Sequence, residues 1–153
     1  MAKKIKAPSA FKKHVDSLIA YLQPRMHLNE FQVTWEYVDK IGGVPGLKPV
    51  AGTYKGFSAE VVADHVYLTI DICLSRMAYE YFREGNFKQL ALDVIHELAH
   101  AYTGELSSEL EEAAGKDRKR LEWVRRIDES NVERIARTIF EGLPREVWLP
   151  KKR

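Results

Sequence analysis

His96-Glu97-Leu98-Ala99-His100 sets two imidazoles four residues apart, with a carboxylate directly after the first. On a helix, residues i and i+4 lie one turn apart on the same face. Both rings then reach a single cation, and Glu97 stands beside it without being needed as a ligand. The set suits metal-activated hydrolysis: two neutral nitrogens hold one Zn2+ ion, and a carboxylate takes a proton from water.

A catalytic zinc takes three protein ligands and keeps one position open. The extended pattern that supplies a third histidine needs glycine at position 103 and histidine at position 106. The chain has Thr103 and Leu106 there, and no histidine follows His100. His14, His27 and His65 stand in no spacing relation to the pair. The third ligand is therefore expected to be a carboxylate downstream.

Glu105 is too close, beyond a glycine expected to end the helix, and Glu109, Glu111 and Glu112 read as solvated residues of a new helix start. The last helix is more informative. Val132, Ile135, Ala136, Ile139 and Phe140 form an apolar stripe. Glu129 falls roughly 50° from its centre and Glu133 roughly 90°, at about 100° per residue. A carboxylate that close to an apolar face needs a partner. Glu129 is expected as the ligand and Glu133, one turn later, as an acceptor for a ligand histidine. The exchange of those two roles stands as the alternative, and Ser130 to Glu133 also fits a capping box.

The elements that position these residues follow from pattern. Apolar residues from Phe11 to Leu22 recur at helical spacing, with Ser9 as cap and Pro24 as stop. Phe31–Val38, Glu60–Ala63 and Val66–Ile72 read as strands, with Asp64 and His65 as a turn; Asp39–Gly56 reads as a long glycine-rich loop. Helices are expected over Ser75–Arg83, Phe87–Thr103 (Asn86 as cap and Gly104 as end), Ser108–Ile127 and Glu129–Glu141. Strands first and helices after predict an α+β class with a small, mostly antiparallel sheet packed on the helix that carries the histidines.

The 153 residues suit one domain, 1–153, with basic tails at both ends. A single cysteine, Cys73, excludes a disulfide framework and a cysteine-based zinc ribbon. Lys12 and Lys13 interrupt the place where a signal peptide's apolar region would lie, and no apolar run approaches about 18 residues. A cytoplasmic protein without a membrane partner is expected. Net charge is +2, with basic clusters at the termini and at Lys116–Arg120. These read first as solvated faces and secondly as a weak nucleic-acid surface. His14 and His27 are expected at the surface, and Trp35, Trp123 and Trp148 in packing roles.

These residues resemble the minimal gluzincin-type metallopeptidases, including the ImmA/IrrE-like proteins and small phage or mobile-element peptidases. That group carries HExxH followed by a helix reading roughly E-x-x-A-N-x-F-A. The matching stretch is Glu129-Ser-Asn-Val132-Glu133-Arg-Ile135-Ala136, with Leu143-Pro144 beyond. Glu133 stands where the group has asparagine, and the segment between the motifs is longer. The resemblance implies a zincin-like fold, zinc held by His96, His100 and Glu129, and Glu97 as general base acting on a protein or peptide substrate. Tyr102, His65 and Arg134 are the candidates for stabilising an oxyanion. By analogy, the strand Val66–Ile72 would receive an extended substrate at its edge. A metal-containing regulatory or DNA-associated binding module is the alternative function.

Overall fold

A computed structural model describes residues 5–38, 59–65 and 67–150. The elements in chain order are α1 (Ser9–Arg25), β1 (Gln32–Tyr37), β2 (Ala59–Asp64), β3 (Thr69–Leu74), α2 (Arg76–Arg83), α3 (Phe87–Ala114), α4 (Arg118–Glu141) and α5 (Arg145–Trp148). The class is α+β. The expected loop Asp39–Gly56 and the outermost basic residues lie outside the described residues.

The sheet is mixed, a correction to the mostly antiparallel expectation. Its order is β1-β3-β2, with β1 parallel to β3 and β2 antiparallel to it. Val61, Ile70 and Ile72 join the core through the period-2 alternation of the strands. Because β3 is hydrogen-bonded on both sides, the strand expected to accept an added peptide has no free edge. Among the described residues β1 and β2 are the two outer strands, and β2 is the strand that packs most extensively along α3.

α1 buries Phe11, Val15, Leu18, Ile19 and Leu22, the helical stripe its spacing predicts. The Phe11 ring sits edge-on to Trp35, Tyr37, Tyr79 and Phe82, tying α1, β1 and α2 into one aromatic cluster. Ser9 is the first helical residue, not the cap, and Pro24 lies inside the last turn. His14, expected at the surface, is half-buried between the rings of Phe82 and Phe87.

The larger correction concerns α3. Gly104 does not end it; the helix runs on to Ala114 and stops at Gly115, whose φ of 59° is the left-handed conformation that glycine tolerates. Asp117 then caps α4 by accepting from the backbone N–H groups of Lys119 and Arg120. The separate helix expected over Ser108–Ile127 does not exist. Its two halves are the end of α3 and the start of α4, which fold back on each other as an antiparallel hairpin. Gly104 has a different task. A Cβ there would stand 3.0 Å from Cε1 of His65, so the missing side chain lets the β2–β3 turn approach α3.

Candidate metal centre

Asn86 caps α3 by accepting from the Gln89 N–H, and Leu90, Ala91, Val94, Ile95, Leu98 and Ala99 bury that helix in the core. Its remaining face carries His96 and His100 toward α4. α4 in turn is anchored by Val124, Val132 and Ala136. Residues four apart share a face, so Asp128 lies in line with Val124 and Val132, and Glu129 and Glu133 follow beside it.

The hairpin brings these side chains together. The two carboxylate oxygens of Glu129 face the two histidines: Oε2 is 3.2 Å from His96 Nε2, and Oε1 is 3.7 Å from His100 Nε2. Each of the three residues offers a ligand atom, and these atoms lie within 4.8 Å of one another. Tetrahedral zinc with bonds of about 2.0–2.1 Å separates its ligand atoms by about 3.3 Å, so the donor types and spacing fit such an ion.

The opposite ring nitrogens have partners of their own. Glu133 Oε2 is 3.4 Å from His96 Nδ1, and Asp128 Oδ2 is 3.5 Å from His100 Nδ1. A carboxylate at Nδ1 favours the tautomer with its proton there, which frees the Nε2 lone pair for a cation lying between the ring and Glu129. Glu133 is itself held by Arg137, whose Nε donates to Oε1 at 2.6 Å. Asp128 escaped the sequence reading, although a carboxylate aligned with the buried stripe was the signal. Its side chain is the more buried of the two, 16 % exposed against 60 % for Glu129.

Glu97 is one of two buried polar residues among those described, the other being Ser75. Burial pushes its carboxyl up to about 8; the charge of His96 pulls it down, while Glu129, Asp93 and Glu60 push it further up. At His96 burial opposes the charged ring. The hydrogen bond to Glu129 and the negative charges of Glu97, Glu129 and Glu133 outweigh that, raising it to about 8. His100 is lowered by burial. Glu129 is lowered by its hydrogen bond with His96, and Glu133 chiefly by that with Arg137. The cluster is thus poised around a positive charge, carried by the His96 imidazolium when no other cation is present.

A groove of about 700 Å³ opens beside His96 and runs between α3 and α4 to Trp148, with Gln89, Asp93 and Arg137 along it. None of the three residues considered for oxyanion stabilisation reaches this centre. His65 Nε2 lies 2.8 Å from the Ala101 carbonyl, beside Phe31. The Tyr102 hydroxyl donates to the Met26 carbonyl, tying α3 to the end of α1. Arg134 is exposed on α4 and lies about 140° around the helix from Glu129. Of the basic run, Arg118 pairs with Glu122 and Arg120 with Asp117. No helix among the described residues is long and apolar enough to cross a membrane.

Compared with family models, with curated proteins and with solved structures, the chain matches none.

Proposed function

We propose that the chain is a zinc-dependent metallopeptidase of gluzincin type and zincin-like fold, with His96, His100 and Glu129 as metal ligands. The observation that carries this reading is the placement of the Glu129 oxygens 3.2 and 3.7 Å from the two Nε2 atoms, with separate carboxylates on both Nδ1 atoms. When bound, zinc supplies Lewis acidity, lowering the pKa of coordinated water to about 7 and polarising a carbonyl.

The chain's residues do the rest. Glu97, buried and one position from a ligand, takes the proton of water and passes it to the leaving amine. Its raised pKa describes the metal-free protein; a cation between the histidines stabilises the carboxylate and makes it available as a base. Asp128 and Glu133 hold the imidazoles in orientation. An extended peptide is placed along β2, the one of the two outer strands that packs on α3, in place of the Val66–Ile72 strand.

The test is a comparison of purified wild type, Glu97→Gln and His96→Ala for zinc stoichiometry and for cleavage of a denatured protein. Near-stoichiometric zinc in the first two, with hydrolysis in wild type alone, is expected. Wild type without zinc, or undiminished cleavage by Glu97→Gln, would overturn the proposal.

A further inference from the structure

The outer half of the α3–α4 hairpin carries apolar side chains that its own fold leaves uncovered. Tyr102, Leu106 and Leu110 recur every four residues on α3, and Trp123 and Ile127 do so on α4; all five are between 37 % and 61 % exposed. Trp123 thus departs from the packing role expected of it. The Glu111–Arg125 pair ties the two arms together, with Nε 2.8 Å from Oε1. With the chain turning between Ala114 and Arg118 and His100 facing Asp128, Ile127 comes level with the stretch between Tyr102 and Leu106, and Trp123 with the stretch between Leu106 and Leu110. Helical phase puts both rows on the face of the hairpin away from Glu129 and Glu133. They form one stripe about 12 Å long at 1.5 Å per residue.

The two arms differ in charge. From Ala101 to Gly115 the charged residues are all acidic: Glu105, Glu109, Glu111 and Glu112. From Arg118 to Arg126 five basic residues stand against Glu122 alone. Glu109 borders Leu106 three residues on; Lys119 and Arg126 border Trp123 four before and three after. These three border charges form no ion pair within the chain among the described residues.

We infer that this stripe is the interface of a symmetric homodimer in which the acidic arm of one copy lies against the basic arm of the other, closing a four-helix bundle. The five side chains expose on the order of 500 Å² of apolar surface, given side-chain areas of about 150–250 Å² for the aromatics. A stable interface needs about 800 Å² per partner, about 60 % of it apolar, which is the same quantity. A two-fold axis satisfies both charge pairings at once because each copy carries both arms. The inference does not depend on the metal reading, since the stripe and the metal centre occupy different faces of the hairpin.

Sedimentation of the full chain at about 100 μM and below is the test, a concentration at which a micromolar dimer is populated. A dimer of the 17.6 kDa chain is expected. Leu106→Glu should shift it to monomer, and Glu109→Lys should weaken it about tenfold or more. Glu109→Lys combined with Arg126→Glu should recover it, and these exposed charge variants decide the matter should Leu106→Glu fail to fold. A monomeric wild type overturns the inference, including one whose Trp123 fluorescence responds to anionic vesicles or is shielded by the chain itself. So does a dimer that Leu106→Glu leaves intact.

Discussion

The two halves of the α3–α4 hairpin are built from the same pair of helices and solve opposite problems. In the inner half, polar groups converge: His96, His100, Asp128, Glu129 and Glu133 each face another member of the set, and Arg137 closes its edge. In the outer half, apolar groups diverge, leaving Leu106 and Trp123 more than half exposed. Where a helix pair carries charge inward, the structure surrounds it with partners, since unpaired buried charge is costly. Where it carries apolar groups outward, the partner has to come from another surface.

The largest effects are expected in the inner half. Glu97→Gln should keep zinc, measured by elemental analysis, and lower hydrolysis by about 10²–10⁴-fold, the usual worth of a general base. His96→Ala and Glu129→Ala should lose both metal and activity. Leu106→Glu should leave zinc affinity unchanged; a large change there would mean the two halves are not independent.

Asp128→Asn should weaken zinc binding by about 10–100-fold in a chelator competition, because the amide is a poorer acceptor for the His100 Nδ1–H. The corresponding outer change, Glu109→Lys, should leave that affinity where it was.

Proton linkage gives a third measurement. His96 and Glu97 both have folded-state values raised to about 8. Between pH 6.5 and 8 the folded, metal-free protein therefore holds more protons than the unfolded chain, by about one at most, the lowered His14 and His100 offsetting part of the gain, and it loses stability as pH rises. Melting in the presence of chelator should fall across that window, and Glu97→Gln should flatten the fall. With zinc added the slope should reverse, because ligation requires neutral imidazoles.

The smallest effects mark the junction and the tip of the hairpin. Gly115→Ala meets no atom but forces a side chain into positive φ, costing about 1–2 kcal/mol. Gly104→Ala gains about 1 kcal/mol of helix propensity. It also pushes on His65, which is held by its contact with the Ala101 carbonyl. Net destabilisation by thermal melting is expected; stabilisation would show that the turn yields easily.

Much of this was legible in the chain. The stripe of α1, the Asn86 cap and the strand cores around Val33, Val61 and Ile70 follow from local spacing, whereas Ser75, expected as the first helical residue, is the cap of α2. The misplaced helix boundaries around the hairpin came from reading glycine by type alone. Gly104 and Gly115 look alike in sequence, yet one stands mid-helix to admit a neighbouring ring and the other turns the chain. The capping Asp117 two residues after Gly115 was the available signal.

The α+β order of elements, the i, i+4 histidine pair with Glu97 between them, and the facing of Glu129 toward an apolar stripe follow from helical and strand periods alone. Only the tertiary structure decided that β3 is the central strand, that Asp128 faces His100, and that the α3–α4 hairpin leaves Trp123 uncovered. Those facts depend on which surfaces meet. Contact between segments distant in sequence is set by packing of the whole chain, which no local period encodes.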